Sequence, residues 1–322
     1  MKAVVVSHTG GAEVLEYLDR PAPVPAPGQA LVRHHAIGVN FIDIYYRTGL
    51  YPMKLPAVLG SEAAGVVEAV GEGVQGVKPG DRVAFLGGQT YADYSVQPAD
   101  RLILLPNAIS FEAAAASLLK GMTAEFLAER ISPWLKPGDP VLVHAAAGGV
   151  GGILVQWLKD QGRVVIAAVG GAAKAAIARG HGADHVVDYD GEDLANRVRD
   201  LTGGEGVRVV YDSVGKATFE ASLNSLGRRG LMVSFGNASG PAPAIEPGRL
   251  SRLGSLYLTR PTLFDYVAKR DELEASSAAL FDRIARGVIE IDIGQTWPLA
   301  EARLAHEALE GRKTTGASLL IP

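Results

Sequence analysis

The sequence contains no cysteine. That absence excludes disulfides, thiolate nucleophiles, iron–sulfur ligation and every zinc site that uses sulfur, and it is compatible with a reducing compartment. No membrane-length apolar run is present either. The longest apolar stretch, Val141 to Leu158, is broken by His144 and four glycines, which reads as strand–turn–helix. The segment Met1 to His8 has too short an apolar run for a signal peptide, so a cytoplasmic protein is expected. Blocks of like charge are missing as well. The net charge is −4, and the densest basic spots are pairs such as Arg228-Arg229 and Arg312-Lys313. Attachment to nucleic acid through charge is therefore not expected.

What is present is apolar and long. The chain has 322 residues, of which 48% are hydrophobic and 20% charged. Such a composition can bury a sizeable core, and the length suits two domains of ~100–200 residues each. The first part reads as β-rich. Lys2–Val6, Ala30–Ala36, Ala64–Val70, Arg82–Leu86 and Tyr91–Gln97 have strand patterning, with glycine-rich turns such as Gly71-Glu72-Gly73 between them. Pro21 to Gly28 reads as an extended connector between two strands rather than a ligand for a proline-binding module. His34 and His35 fall in one strand, where neighbouring side chains point to opposite faces, so a metal pair is not expected.

The pattern changes near residue 110. Ser110-Phe111-Glu112 opens a helix that continues toward Arg130. Strands at Val141–His144, Val164–Val169, His185–Val187, Val207–Tyr211, Leu231–Phe235 and Gly254–Thr259 then alternate with helices at Val150–Gln161, Ala172–Gly182, Glu192–Thr202 and Ala217–Gly227. This alternation predicts a doubly wound parallel sheet. A long helix (Phe264–Arg286), a short strand near Ile289–Ile293, a helix (Ala300–Glu310) and a last strand (Ala317–Ile321) are expected to follow.

The strongest chemical signal is Val141 to Gly151, a strand feeding a small-residue turn that opens a helix. Gly148 would let the backbone approach a pyrophosphate, and Gly151 would let the helix pack on the strand. Gly149 and Val150 would present free N–H groups at the positive end of the helix dipole. Ala146 stands at the first position of G-x-G-x-x-G, so the strict fingerprint is not met. The second strand ends in Gly170-Gly171 with no acid, and Lys174 follows. A cation without a carboxylate suits a 2′-phosphate, so NADPH is expected over NADH.

These residues, taken together, resemble the medium-chain dehydrogenase/reductase superfamily, and within it the zinc-free, zeta-crystallin-like quinone oxidoreductases. The segments that carry the resemblance are Gly38 to Asp43, Leu59 to Gly65, His144 to Gly151, Tyr211 to Gly215, Ser234 to Asn237 and Ala317 to Pro322. The resemblance implies a Rossmann domain at 123–262 and a β-rich, GroES-like catalytic domain at 1–122 plus 263–322, with the cofactor at the carboxyl ends of the parallel strands. Zinc-dependent members place cysteine, histidine and cysteine where Asn40, Ser61 and Lys120 stand here, so no metal is expected. Asn40, Phe41, Asp43 and Tyr45 would border the nicotinamide, flanked by Lys120 and Thr123. Gly149 and Val150 would meet the pyrophosphate. Gly170, Gly171 and Lys174 would meet the adenosine phosphate, with Tyr189 on the adenine side. Ser213, then Phe235, Gly236, Asn237 and Ser239, then Leu258, Thr259 and Arg260 would complete the site, with Arg312 reaching toward it.

The implied reaction is NADPH-dependent reduction of a small-molecule quinone without zinc. Tyr45, Tyr51 and Asn40 are the candidate groups for stabilising charge on the acceptor, although the two tyrosines could equally wall the pocket. The alternatives are an alkenal or enone double-bond reductase on the same scaffold, and a non-enzymatic NADPH-binding protein with a structural or RNA-associated role. A homodimer formed through the Rossmann domains is also implied, with no membrane partner.

Overall fold

The computed structural model describes all residues from Met1 to Pro322. The chain divides into two compact units. One comprises Met1–Met122, Val267–Gly287 and Ile291–Pro322; the other comprises Thr123–Tyr266 and Val288–Glu290. The second unit thus runs four residues beyond the expected end at 262 and takes back three residues later in the chain.

The first unit is built on antiparallel strands. Gln29–Val39 is the long central strand, pairing with Glu62–Val70, Tyr94–Pro98 and Ala317–Ile321. Arg82–Leu86 and Ile103–Leu104 extend the sheet on one side, and Ile293–Pro298 extends it on the other. A smaller sheet joins Lys2–Val6 to Leu15–Asp19 and Ala57–Val58. Val32, Ile37, Val67, Val83, Phe85 and Leu320 supply the core, all essentially removed from water. Burying a side chain of this size contributes roughly 1.5–3 kcal/mol. The proline-rich segment joins Leu15–Asp19 to Gln29–Val39 without regular structure.

In the second unit six parallel strands take the order His185–Asp188, Val164–Val169, Pro140–His144, Val207–Asp212, Leu226–Ser234, Tyr257–Thr259. The chain winds outward from the middle strand in both directions, so this is a doubly wound α/β sheet. Its strands are continuous valine-rich runs because both faces are covered. Leu142, Ile166, Val210 and Met232 lie at its centre, fully buried.

Several expectations change. The helix expected over Ala217–Gly227 spans only Phe219–Ser225, and the next strand begins at Leu226 instead of Leu231. That strand carries a register shift and Arg229 at φ +58°, which accommodates the extra residues. The helix expected over Phe264–Arg286 is two helices, Leu263–Tyr266 and Arg270–Ala285. Lys269 between them is extended, and its N–H donates to Glu272 at 3.2 Å, which starts the second helix afresh. The strand expected at Ile289–Ile293 runs Ile293–Pro298. The segment after Asn40, for which no regular element is expected above, is a helix, Phe41–Thr48.

Candidate active site

The helix Phe41–Thr48 starts where it does because Asn40 is extended (φ −136°, ψ 154°) and Asp43, three residues on, accepts the Asn40 N–H at 2.9 Å. It stops at Gly49, whose φ of +83° closes the C-terminal turn. Asp43 is fully buried. Its Oδ1 accepts from the Ser61 hydroxyl at 2.6 Å, and its Oδ2 also accepts from the Tyr91 hydroxyl at 3.1 Å. Burial pushes its carboxyl up to about 6, against the downward pull of those three donors. Asp43 therefore braces Asn40 and Ser61 and has no side-chain atom left exposed to meet a cofactor.

A second buried carboxylate lies beside it. Glu62 Oε1 accepts from Asn40 Nδ2 and from Lys120 Nζ, both at 2.8 Å, and Oε2 accepts from the Leu119 N–H at 2.7 Å. A Cβ on Gly38 would fall 2.2 Å from Glu62 Oε1, so only glycine leaves room for this carboxylate against the central strand. Asn40, Ser61 and Lys120 are thus tied together through Asp43 and Glu62, with a lysine ammonium among them and no thiolate or imidazole. No three His, Cys, Asp or Glu side chains converge as a metal-holding group.

The aromatic residues cluster at the same helix. Tyr45 packs edge-on against Tyr51 with ring centroids 5.2 Å apart, and tilts against Phe41 at 6.2 Å. Tyr51 also meets Tyr46, and its N–H bonds the Tyr45 carbonyl at 3.0 Å. Behind the helix, Tyr91 contacts His306 Nε2 at 3.0 Å, and Arg47 bonds His306 Nδ1 at 3.1 Å and Glu310 at 2.7 Å. Burial, with Arg47 adding to it, pushes His306 down to about 3. Elsewhere in this unit His34 is used structurally, contacting the Ala92 carbonyl and Ser95, while His35 stacks on Phe111. Arg312 follows the helix Ala302–Glu310 in a left-handed turn (φ +56°).

In the second unit most of the other candidates lie at the carboxyl ends of the parallel strands, spread across the sheet. The turn after Pro140–His144 holds Ala145 at φ +50° and caps the next helix with Gly148. A Cβ on Gly151 would meet the Ala145 carbonyl oxygen at 2.2 Å, so glycine there lets the helix seat on the turn. Gly149, Val150 and Gly151 begin that helix, and its first turn has no acidic residue. Their N–H groups have no intrahelical acceptor and suit an anion. The geometry fits a dinucleotide pyrophosphate despite Ala146.

After Val164–Val169, Gly170 lies against Tyr189, and Gly171 (φ +86°) caps the helix that carries Lys174. The fold also brings acids to this corner from the neighbouring strand. Asp188 accepts the Gly171 and Asp190 N–H groups, and Asp190 Oδ2 would lie 2.9 Å from a Cβ on Gly170. After Val207–Asp212, Asp212 accepts the Val214 and Gly215 N–H groups and the Thr218 and Ser222 hydroxyls. Ser222 in turn meets buried His144 at 2.8 Å. Gly236 packs on Ser213, where a Cβ would meet the Ser213 carbonyl oxygen at 2.2 Å. Ser239 Oγ donates to the Val214 carbonyl and accepts from Ala217 N–H, so it tethers loops. With its amide turned so that oxygen and nitrogen both find partners, Asn237 donates to the Gly236 carbonyl and accepts from Arg260 Nη2 at 3.2 Å, joining Phe235–Ser239 to the end of the strand that carries Leu258 and Thr259. Thr123 begins the second unit on the helix Phe111–Glu125, three residues after Lys120.

Sequence reasoning noted Ser61 only as the replacement of a zinc ligand, and it missed Glu62, Tyr91 and His306 as site residues. For Glu62 the available signal was a carboxylate at the head of the apolar run Ala63–Val67. For Tyr91 and His306 no local signal exists, because they are 215 residues apart.

Comparison with known proteins is consistent with this architecture. Residues 26–107 match the alcohol dehydrogenase GroES-like domain, and residues 149–280 match the zinc-binding dehydrogenase family. The chain is 52% identical to a quinone oxidoreductase of Salmonella typhimurium over 97% of each chain. It is 41% identical to a 2-haloacrylate reductase of Burkholderia, covering 99% of this chain and 98% of that one. The solved quinone oxidoreductase of Escherichia coli, complexed with NADPH, superposes with a TM-score of 0.97 at 49% identity and covers both chains completely. With its parallel dinucleotide-type sheet, its GroES-like unit and full-length identity near one half, the chain belongs to the quinone oxidoreductases of the medium-chain dehydrogenase/reductase superfamily.

Proposed function

We propose that the protein is an NADPH-dependent quinone oxidoreductase that works without zinc. The observation that carries this reading is the cluster Asn40–Glu62–Lys120 with Ser61–Asp43. At the positions where zinc-dependent relatives hold their ligands, this chain has an amide, an alcohol and an ammonium ion. No soft donor set for a Lewis acid remains, so the acceptor must be electrophilic enough to take a hydride without one. A quinone meets that demand. The NADPH complex of the Escherichia coli relative supports the choice of cofactor.

When bound, NADPH supplies the hydride. The chain's own groups bind and orient it. The N–H groups of Gly149 and Val150 take the pyrophosphate, with Gly148 and Gly151 shaping the turn. Gly170, Gly171, Lys174 and Tyr189 take the adenosine end, and Lys174 pairs with the 2′-phosphate. Ser213, Phe235, Gly236, Asn237, Ser239, Leu258, Thr259, Arg260 and Arg312 flank it. Asn40, Phe41, Asp43, Tyr45, Lys120 and Thr123 serve the nicotinamide, Asp43 by bracing its neighbours. Tyr45 and Tyr51 face the acceptor, and with Asn40 they stabilise charge on it. Cytoplasmic residence fits the cysteine-free sequence. A homodimer through the sheet edge at Tyr257–Thr259 fits that short, exposed strand, whose outer side no other strand covers.

A second reading, a double-bond reductase, is supported by the relative named as a 2-haloacrylate reductase. An acceptor panel separates the two. NADPH oxidation is measured with benzoquinones, naphthoquinones and short enals, with and without a strong chelator. Quinones are expected to react fastest, with rates indifferent to the chelator. Preference for enals would favour the double-bond reductase, and zinc-restorable loss on chelation would remove the metal-free reading.

A further inference from the structure

Quinone reduction needs a proton as well as a hydride. The polar chain behind Asn40 has a direction dictated by the chemistry of its members. Arg47 can only donate, so its contact makes His306 Nδ1 an acceptor. The neutral imidazole then carries its proton on Nε2, and that N–H donates to the Tyr91 oxygen at 3.0 Å. The Tyr91 proton is thereby directed to Asp43 Oδ2, which also takes the Asn40 N–H. Oδ1 is left to Ser61, at 2.6 Å. Arg47 is 1% exposed and Asp43, Tyr91 and His306 are 0% exposed, whereas Ser61 is 6% exposed. Ser61 is the least buried of these five, and the next residue, Glu62, holds Asn40 and Lys120.

We propose that Ser61 is the proton donor that completes quinone reduction, that Asp43 recharges it, and that Tyr91 and His306 are positioning residues for Asp43. This rests on the quinone-reductase reading above. Hydride arrival adds two electrons and one proton to the quinone and leaves a hydroquinone monoanion. The Ser61 O–H bond breaks and its proton joins the oxyanion. The Asp43 Oδ1–H bond breaks in turn, and its proton restores the serine hydroxyl. Asp43 is left as a carboxylate and takes its next proton from water by way of Ser61. Its geometry suits the exchange, because the other oxygen is held by two fixed donors and protonation is steered to Oδ1. Burial keeps the carboxyl near 6, within reach of neutral pH. The groups facing it are Ser61, Glu62 at the start of the strand Glu62–Val70, Asn40 and Tyr46 from its own helix and cap, and Tyr91 from the loop before Tyr94–Pro98. His306 and Arg47 stand behind Tyr91.

The test measures kcat/KM for a poorly reducible quinone from about pH 5 to about pH 9, in H2O and in D2O, with NADPH affinity measured alongside. Wild type should lose activity as pH rises through the Asp43 range and should show a solvent isotope effect. Ser61→Ala should lower kcat/KM by ~10²-fold, erase both signatures and leave NADPH affinity within about twofold. Ser61→Thr, which keeps the hydroxyl, should restore both. Tyr91→Phe should keep the isotope effect but move the pH limb upward, because the Asp43 carboxylate loses a donor. Retention of the limb and the isotope effect in Ser61→Ala would overturn the proposal, as would a loss explained wholly by weaker NADPH binding. Failure of wild type to reduce any quinone while still binding NADPH would instead sink the quinone reading, and the proposal with it.

Discussion

At the corner expected to read the 2′-phosphate, the charges of Lys174 and Asp190 would act in opposite senses on the cofactor. A charge-assisted contact to a phosphate contributes about 1.5–3 kcal/mol. NADPH should therefore bind at least about tenfold more tightly than NADH, and Lys174→Ala should remove much of the difference. Asp190 lies close to Gly170 and would repel that phosphate, so Asp190→Asn should widen the preference. Fluorescence titration with both cofactors checks all three, and equal affinities in wild type would refute the Lys174 assignment. At the acceptor side, Tyr45→Phe should lower kcat/KM by less than the ~10²–10³-fold typical of deleting one strong oxyanion donor. Tyr45→Ala should cost more, because the ring also packs on Tyr51. If Tyr45→Phe and Tyr51→Phe both match wild type across a quinone series, the two rings act as pocket walls only.

The strand Glu62–Val70 and the helix Phe111–Glu125 are pinned to each other by one ion pair whose side chains are 0% and 7% exposed. Removing a single partner of such a pair leaves an uncompensated buried charge and typically costs about 3–5 kcal/mol. Lys120→Met should therefore destabilise the protein by about that amount. Glu62→Gln combined with Lys120→Met should recover much of the loss, since no isolated charge remains. Chemical denaturation of the two variants measures the difference. Equal destabilisation would mean that the ion pair's geometry matters more than its charge balance. The turn Ala145–Gly148 behaves similarly at the element scale. Gly151→Val would drive its side chain into the Ala145 carbonyl, lifting the helix off the turn and weakening cofactor binding.

Across the whole molecule, buried neutral histidines set the response to acid. Burial pushes His34 down to about 4 and His306 down to about 3, from an ordinary value of 6.5. The unfolded chain binds these protons first, so stability present above about pH 6.5 is lost as pH falls toward 4 and below. Asp43 works the other way. Its carboxyl, raised to about 6, takes up a proton in the folded state and offsets part of the loss between about pH 6 and its ordinary value of 3.8. His144, also fully buried, is pushed down as well, so with three buried histidines against one carboxyl the melting temperature should fall between about pH 6.5 and about pH 4. His306→Gln should flatten that fall, although its stability at neutral pH drops because Tyr91 and Arg47 lose a partner. A melting temperature flat over this range would contradict the neutral-histidine assignment.

Periodicity and turn chemistry were enough for the alternating half of the chain. Valine-rich runs such as Val164–Val169 cannot sit at a surface, and the small residues after Pro140–His144 allow only a tight strand-to-helix turn. The absence of cysteine by itself excluded a sulfur-based zinc site, and the resemblance placed Asn40, Ser61 and Lys120 where zinc-dependent relatives hold their ligands. Short elements were harder. Phe41–Thr48 has only two turns, and its start depends on Asp43 reaching back to Asn40, a contact that periodicity does not report. The strand from Leu226 holds two arginines and two glycines that read as a turn until its parallel neighbours are in place. Long-range polar partners were invisible. The tautomer of His306, the direction of the Tyr91 proton and the two carboxylates behind Asn40 follow from side chains as much as 259 residues apart. Asp190 likewise comes to Gly170 from a different strand. Hydrophobic pattern is written along the chain, but hydrogen-bond direction and charge pairing depend on which atoms folding brings within 3 Å or so of one another, and that only the tertiary structure decides.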